Sequence, residues 1–284
     1  MKYFFAVIFL FINVITSNAQ WSTTPIKTEI INLTSILNQR NYKITVALPS
    51  SYNKAEKYPV YYLLDGYYAF PMAIESMKVL KMGNEIKDFI LVSIAGDETN
   101  DYEWFVKRWT DFTFTQKVKT DSSFTKNENI KIPGLISGEG ETFYKIIKDE
   151  IVPLIDSKYS TNVERGISGH SLSGLFVANV LFKSDGVFSR FGINSPSFFE
   201  WDNDIMQTEK KYSQSNTNLN ANVFISIGEL EGETEINNLL KFDSLLKKYT
   251  GLKSKLVIFK DESHTSVCPA MISRTMKILY SKKD

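Results

Sequence analysis

The segment that decides the fold reads Gly166-Ile167-Ser168-Gly169-His170-Ser171-Leu172-Ser173-Gly174-Leu175. An apolar run of strand character precedes it, and a helical pattern begins inside it. A serine at such a strand–turn–helix elbow has a strained backbone and a hydroxyl exposed above the sheet edge, where the helix N-terminus favours negative charge. The segment therefore predicts a sheet covered by helices, with Ser171 as a candidate nucleophile.

Small residues on either side of the elbow allow the strand and the helix to approach closely. Gly169 stands two places before Ser171, but Ser173 stands two places after it, so the pattern Gly-x-Ser-x-Gly is changed at one position. Serine is nearly as small as glycine, and the exchange is compatible with an elbow. A capped helix without chemistry is the alternative interpretation of the motif.

The rest of the chain alternates strands with helices. Strand patterns occupy residues 29–34, 42–48, 58–64, 89–94, 163–168, 188–193, 223–227 and 256–259. Helical patterns occupy residues 70–82, 141–159, 171–183, 236–249 and 266–280. This alternation predicts an α/β fold with one open, mostly parallel eight-stranded sheet, helices on both of its faces and an antiparallel pair at its start.

Two polar stretches interrupt the alternation. Residues 96–138, a long insertion after the fourth strand, show no clear period, and residues 201–222 are rich in Asn. Structureless segments of this length in a compact domain are usually functional or mobile. Both follow predicted strands, so we expect both to be loops on the side where open α/β sheets bind ligands.

Composition excludes several classes of protein. The 284 residues include 33 Lys+Arg and 32 Asp+Glu, a net charge of +1 that provides no basic field for nucleic acid. A single cysteine excludes an intramolecular disulfide framework, and two histidines leave little room for a metal site. The sequence has no metal-ligand spacing, phosphate loop or nucleotide fingerprint. We therefore expect no nucleic-acid partner, no metal and no cofactor.

The N-terminus has the pattern of a secretory signal peptide. Lys2 is followed by an apolar run at 3–14, and Ser17-Asn18-Ala19 provides small residues at a cleavage site. The run is too short to span a bilayer comfortably. We expect residues 1–19 to be removed and residues 20–284 to form a single domain, exported to the periplasm or the extracellular space without stable membrane insertion. A retained N-terminal anchor is the alternative.

A nucleophilic serine needs a general base with a pKa near neutrality, which is usually histidine. The chain offers two. His170 directly precedes Ser171 and would point away from it, which favours a packing or supporting role. His264 lies in a polar loop after the last predicted strand and before the C-terminal helix. We therefore predict that His264 is the base.

The acid that supports the histidine is expected after the penultimate strand, where Glu229, Glu231 and Glu233 cluster. It would accept the imidazole Nδ1–H and stabilise the imidazolium. Glu231 stands three places after Gly228, which ends the strand, and is the first choice. Glu229 is the close alternative and Glu233 the third.

An oxyanion hole needs two backbone N–H groups aimed at the tetrahedral oxygen. The first predicted donor is the N–H of Leu172, directly after Ser171. The second is the N–H of Gly66 or Tyr67, in the turn that ends the strand at 58–64. Asp65, in the same turn, is interpreted as a structural residue beside the substrate site.

Together, these segments resemble the esterase family of α/β-hydrolases that includes enterobactin and other siderophore esterases and is related to esterase D. The resemblance covers most of the chain after residue 19, and it is specific as a set. Its segments are Leu48-Pro49 with Tyr52, Tyr58-Pro59-Val60 through Leu63-Leu64-Asp65-Gly66, Arg108-Trp109-Thr110-Asp111-Phe112-Thr113, Phe143 through Pro153 with Tyr159, Gly169-His170-Ser171-Leu172, Ser195-Pro196-Ser197, Gly228-Glu229-Leu230-Glu231 and Ser263-His264.

The resemblance implies an α/β-hydrolase fold and an ester hydrolase with Ser171 as nucleophile and His264 as base. It leaves the acid open, because some family members resemble Ser–His dyads. It also implies siderophore-type esters as substrates. Carbohydrate acyl or feruloyl esters, acyl transfer on the same fold and a non-catalytic binding protein are the alternatives. The intact set of Ser171, His264 and carboxylates speaks against the last of these.

We expect the substrate site to lie at the ligand-binding side of the predicted sheet, with the two polar stretches beside it. Local basic residues would have to bind an anionic siderophore, because the near-zero net charge provides no long-range attraction. Aromatic side chains would stack on an aryl or sugar ester. The candidate substrate contacts are Asp65, Arg108, Trp109, His170, Phe198 and Trp201. The predicted partner is a small-molecule or glycan ester, and the sequence leaves the oligomeric state open.

Overall fold

The computed structural model describes residues 26–126, 134–183, 185–198 and 202–282, so the predicted signal peptide lies outside the described residues. One sheet contains β1 (Thr28–Thr34), β2 (Asn41–Ala47), β3 (Tyr58–Leu63), β4 (Ile90–Gly96), β5 (Thr161–His170), β6 (Arg190–Asn194), β7 (Asn218–Gly228) and β8 (Thr250–Phe259). Their order across the sheet is β1-β2-β4-β3-β5-β6-β7-β8.

The strand directions agree with the prediction. β1 pairs antiparallel with β2, and β2 pairs antiparallel with β4. Every other neighbouring pair is parallel. The expectation of a mostly parallel eight-stranded sheet with an antiparallel start is confirmed.

Helices cover both faces of the sheet. They are α1 (Gly66–Met82), α2 (Asp101–Asp111), α3 (Val118–Lys126), α4 (Gly140–Ile146), α5 (Val152–Lys158), α6 (Leu172–Leu181), α7 (Asp202–Ser213), α8 (Glu233–Leu246) and α9 (Cys268–Leu279). A π-helical turn, Ile147–Ile151, joins α4 to α5. No helix in the described ranges has both the length and the apolar character needed to cross a membrane.

β3 shows why its sequence is a continuous apolar run. Val60 and Tyr62 belong to the larger core, which contains buried side chains of α2 and α4 to α8. Tyr61 and Leu63 belong to the core on the opposite face, which contains buried side chains of α1 and α9. Successive side chains of a strand point to opposite faces, so a strand covered on both faces needs apolar residues at every position.

The two polar stretches are not structureless, and this expectation is wrong. Residues 96–138 contain α2 and α3, and residues 201–222 contain α7 and the start of β7; residues 127–133 and 201 lie outside the described residues. α2 is difficult to recognise in the sequence because its buried end carries the polar residues Arg108 and Asp111. Their partners, Asp65 and Arg40, are distant in sequence, so hydrophobic periodicity does not reveal the buried face.

The carboxyl ends of five neighbouring parallel strands meet along one edge of the sheet. These strands are β3, β5, β6, β7 and β8. The segments that follow them contain all the residues predicted to take part in the chemistry, which brings together side chains separated by up to two hundred residues. This edge is where open α/β sheets bind their ligands.

Candidate active site

Ser171 lies at the sharp turn between β5 and α6. Its backbone has φ 63° and ψ −121°, a positive-φ conformation that residues other than glycine rarely adopt. Ser171 N–H donates a hydrogen bond to Asn194 O at 3.1 Å. Ser171 O accepts hydrogen bonds from the N–H groups of Leu175 and Ser197. These backbone bonds hold the strained elbow that the motif predicts.

Two glycines allow close packing at the elbow. A Cβ on Gly169 would lie 2.5 Å from the carbonyl group of Ser173. A Cβ on Gly174 would lie 2.6 Å from Asn194 O. Both contacts are too short for a packed interior, so larger residues would push the helix away from the sheet.

The three predicted oxyanion donors lie at two neighbouring helix N-termini. Leu172 is the first residue of α6, and Gly66 and Tyr67 are the first two residues of α1. N–H groups in the first turn of a helix have no partner within that helix. Because β3 and β5 are adjacent, both N-termini lie at the same part of the sheet edge. Their N–H groups remain the predicted oxyanion donors.

His264 lies in the loop after β8 and is hydrogen-bonded to Glu231. Its Nδ1–H donates to Glu231 Oε2 at 2.6 Å. This bond places the ring proton on Nδ1 and leaves Nε2 able to accept a proton. The His264 side chain is 47% exposed and that of Glu231 is 4% exposed. The pair therefore presents an accessible base that is supported by a buried acid.

Three donors fix the Glu231 carboxylate. Besides His264, Ser195 Oγ–H donates to Oε1 at 2.6 Å and Gly228 N–H donates to Oε1 at 2.7 Å. Burial raises the pKa of Glu231, but the hydrogen bonds from His264, Ser195 and Gly228 outweigh it and hold this pKa below its usual range. The carboxylate is therefore ionised at neutral pH, as the stabilisation of an imidazolium requires.

The alternative acids contact other groups. Glu229 Oε2 accepts the Asp261 N–H at 3.0 Å, and its side chain is exposed. Glu233 is the exposed first residue of α8. Of the three carboxylates, Glu231 is the one that hydrogen-bonds the imidazole.

Two serines without a role predicted from the sequence flank these groups. Ser195 and Ser197 follow β6, the strand beside β5. Ser195 contacts Glu231, and Ser197 Oγ lies 3.1 Å from Ser171 Oγ. Among the described residues, the Ser171 hydroxyl makes this hydrogen bond and none to His264. A run of small polar residues directly after the strand beside the elbow was the signal that could have identified both serines.

His170 supports the site from its buried side. Its ring centroid lies 4.6 Å from that of His264, and its Nδ1 lies 3.2 Å from Tyr68 OH. Cys268 Sγ lies 3.8 Å from the same nitrogen. Burial, followed by repulsion from His264, lowers the pKa of His170 from 6.5 to about 4. His170 is therefore neutral at pH 7 and adds no positive charge beside His264.

Replacing His170 by glutamine is expected to make the fold less sensitive to acid. Because the folded-state pKa lies below that of the unfolded chain, protonation of His170 favours unfolding. Its contribution to stability is complete above about pH 6.5 and is lost as the pH falls towards about 4. The loss is on the order of 3 kcal/mol. Urea unfolding between pH 7 and pH 4 should show a smaller decrease in the variant; parallel stability curves would contradict this.

Three of the predicted substrate contacts are instead part of the buried interior. Asp65, Arg108 and His170 are all buried, and Arg108 forms an ion pair with Asp65. The Asp65 carboxylate already pairs with the Arg108 guanidinium, and a contact between Arg108 and an anionic substrate stays a prediction. Asp65 is a structural residue of the turn, as its position suggests.

Two aromatic candidates, Trp109 and Phe198, are buried as well, and their role as substrate contacts stays a prediction. Trp109 Nε1 donates to Asp121 Oδ1 at 2.7 Å within the protein. Phe198 packs against Phe242, with ring centroids 5.2 Å apart. Both rings fill the core. The sequence alone could not distinguish a core aromatic residue from one that stacks on a substrate. Trp201 lies outside the described residues.

The sequence model of the family described as “Putative esterase” matches residues 35–275. The chain belongs to this esterase family. The curated relative “Ferri-bacillibactin esterase BesA” of Bacillus subtilis (strain 168) is 29% identical over 273 residues, which cover 92% of this chain and 91% of the relative. Membership of the family makes the protein a hydrolase of ester bonds.

Solved structures share the fold of this esterase. A BES protein from Bacillus cereus has a TM-score of 0.75 at 24% identity, covering 89% of this chain and 96% of its own. Siderophore hydrolase EstB from Aspergillus nidulans has a TM-score of 0.75 at 18% identity, covering 90% and 96%. The predicted α/β-hydrolase architecture is confirmed.

Proposed function

We propose that this esterase hydrolyses carboxylic esters with Ser171 as nucleophile, His264 as general base and Glu231 as the supporting acid. The observation that carries the proposal is the 2.6 Å hydrogen bond between His264 Nδ1 and Glu231 at the edge where the strained Ser171 elbow lies. A buried, ionised carboxylate on Nδ1 fixes the tautomer in which Nε2 can take the serine proton.

The first step forms an acyl-enzyme. Rotation of the Ser171 side chain exchanges the hydrogen bond to Ser197 for one to His264 Nε2, and such bonds often form only when substrate is bound. Ser171 Oγ attacks the ester carbonyl while its proton moves to Nε2. The tetrahedral oxygen is stabilised by the N–H of Leu172 and by that of Gly66 or Tyr67.

The acyl-enzyme forms when the His264 imidazolium gives its proton to the leaving alcohol, whose bond to the acyl carbon breaks. The second step releases the acid. His264 takes a proton from water, and the resulting hydroxide adds to the acyl carbon. The bond between Ser171 Oγ and the acyl carbon then breaks as His264 returns its proton to Ser171 Oγ, which frees the acid and regenerates the enzyme. Glu231 remains ionised throughout and stabilises the positive imidazolium.

We propose a siderophore-type ester as the substrate. Two relatives described above are named for siderophore substrates, one a ferri-bacillibactin esterase and the other a siderophore hydrolase. Tyr67, whose N–H is a predicted oxyanion donor, is 48% exposed, and its ring centroid lies 5.9 Å from that of Trp104. This aromatic pair could stack on the aryl arms of a catecholate siderophore. The same pair suits an aromatic acyl group such as feruloyl, which is the second candidate.

We also propose that the enzyme acts after export. The N-terminal pattern of Lys2, the apolar run at 3–14 and Ala19 is the support for this proposal. A periplasmic or extracellular location would allow hydrolysis of an ester that is taken up from outside the cell. Identification of the N-terminus of the processed protein at residue 20 would support it.

A panel of esters tests the proposed reaction and its substrate. The panel contains a catecholate trilactone with and without iron, methyl ferulate, an acetylated sugar and p-nitrophenyl acetate. We expect the trilactone to have the highest kcat/KM and Ser171→Ala to lose hydrolysis of every ester by about 10⁴-fold or more. Product analysis with added alcohol distinguishes acyl transfer from hydrolysis. Equal turnover by Ser171→Ala would refute the assigned nucleophile, and a preference for methyl ferulate would refute the siderophore assignment.

A further inference from the structure

A buried polar cluster lies behind the proposed oxyanion hole and takes no part in the bond-making steps. Its members come from three separate parts of the chain and are called the Asp65 cluster here: Asp65, Arg108, His170 and Ser173. Asp65 directly precedes α1, Arg108 lies on α2, and the other two lie on either side of Ser171. The cluster therefore joins the elbow to the N-terminus of α1, where Gly66 and Tyr67 are predicted oxyanion donors.

The centre of the cluster is the Asp65 carboxylate. Arg108 donates to it from Nε at 2.5 Å and from Nη2 at 2.8 Å, and Nη2 also donates to His170 O at 3.2 Å. Burial lowers the pKa of Arg108, but the neighbouring Asp65 carboxylate outweighs it and raises this pKa above its ordinary value. A buried, bidentate ion pair of this kind fixes the orientation of both side chains.

Asp65 itself has a left-handed backbone, with φ 57° and ψ 38°, and its side chain does not cap α1. Asp65 therefore does not cap the helix, which is the usual role of an aspartate directly before a helix. Its carboxylate instead faces the elbow, with Tyr68 OH 3.4 Å away. The direction of the first turn of α1 thus depends on the side chains that bind this carboxylate, Arg108 and Ser173.

Ser173 is the direct link between the carboxylate and the elbow. His170 N–H donates to Ser173 Oγ at 2.7 Å, and Ser173 Oγ lies 2.6 Å from Asp65 Oδ2. Its single proton could also be donated to His170 O at 2.9 Å. The nearer, charged acceptor is favoured, because hydrogen bonds to ionised groups are about twice as strong as neutral ones. Glycine, the usual residue at this position of the motif, cannot make either bond.

We propose that Ser173 is a positioning residue of the oxyanion hole: its hydroxyl fixes the elbow N–H of Leu172 relative to the N–H groups that follow Asp65. The inference rests on the proposed function of this edge. An oxyanion is bound only when its donors converge on one point about 3 Å away. Ser173 Oγ accepts a hydrogen bond from His170, which precedes Ser171, and donates one to Asp65, which precedes Gly66. It therefore controls the separation between the elbow and the N-terminus of α1.

The proposal predicts that loss of the Ser173 hydroxyl weakens binding of the transition state but not binding of the substrate. Removing the hydroxyl would leave substrate binding in the cleft unchanged but would let the two donor sets separate. Because small misplacements of donors reduce kcat strongly, we expect Ser173→Ala and Ser173→Gly each to lower kcat by about tenfold, with KM changed less than about twofold. Inhibition by phenylboronic acid, which forms a tetrahedral adduct with a serine hydroxyl, should weaken by a similar factor.

Ser168→Ala is the matched control. Ser168 is similarly buried on β5, and its hydroxyl forms a hydrogen bond with Tyr61, which is outside the Asp65 cluster. We expect a comparable decrease in Tm and an unchanged kcat. Titration of each variant with a fluorophosphonate counts the competent sites, so kcat refers to folded enzyme alone.

The outcomes separate the proposal from the function on which it rests. A tenfold loss of kcat and of boronate affinity in both Ser173 variants, without loss in Ser168→Ala, supports the positioning role. Unchanged kcat in the Ser173 variants, or an equal loss in all three, overturns it while the esterase mechanism stands. A wild-type enzyme that hydrolyses no ester of the panel would instead overturn the proposed function.

Discussion

The His264→Ala variant is expected to lose about four orders of magnitude in kcat, with a much smaller change in KM. Without the imidazole, the enzyme lacks the base proposed to take the Ser171 proton. His170 is a poor replacement, because its ring is buried against Tyr68 and Cys268 and its pKa is lowered to about 4. Steady-state kinetics with the trilactone or p-nitrophenyl acetate measures the loss.

Stability should change little in this variant. The His264 ring is half exposed, so its removal creates no buried cavity, and Tm should fall by only a few degrees. A His264→Ala enzyme with more than a tenth of wild-type kcat would contradict the assignment of His264 as base.

The second large effect is expected from Glu231→Gln, with kcat lowered by about 10³-fold. The amide oxygen can still accept hydrogen bonds from Ser195 and Gly228, which now hold Oε1. The amide NH2 then faces His264 Nδ1, which must become an acceptor. The ring proton moves to Nε2, where it blocks removal of the serine proton.

Glu229→Gln is the matched control for this prediction. It makes the same chemical change two residues away, on an exposed side chain that contacts the Asp261 N–H. We expect its kcat to remain within about twofold of the wild-type value, as for most surface substitutions. The reverse ranking of the two variants would assign the acid to Glu229, and a small effect of both would indicate a Ser–His dyad.

The fold could be predicted because its strands are buried on both faces. In β3 all six residues are buried, and five of them belong to one of the two cores, so the sequence is a continuous apolar run. The same logic identified β5 and the elbow, whose glycines are required by close packing. The segments after the parallel strands could then be placed at one edge by topology alone.

The sequence could not predict α2 and α3, nor which aromatic residues are buried in the core. Arg108 is buried because Asp65, forty-three residues earlier, neutralises it, and no local pattern contains that information. Phe198 is buried because Phe242 on α8 packs against it. In both cases the partner comes from a distant part of the chain, and only the folded structure brings the two together.

The sequence also does not reveal which hydrogen bonds single hydroxyl groups form. Ser173 differs from glycine by one small side chain, which is tolerable by size, yet it forms hydrogen bonds with His170 and Asp65. Ser195 and Ser197 lie in a short turn after β6, where the sequence marks small polar residues but not their partners. Their roles depend on distances of about 3 Å to Glu231 and Ser171, which spacing along the chain does not determine.

The most direct test of the central claim is covalent labelling of the intact enzyme with a fluorophosphonate, followed by peptide mass spectrometry. We predict one phosphonyl group per chain, attached to Ser171, and none on Ser171→Ala. Labelling should be slowed strongly in His264→Ala, because the same base activates the serine. A label on another residue, or equal labelling of Ser171→Ala, would contradict the proposal that Ser171 is the nucleophile of this esterase.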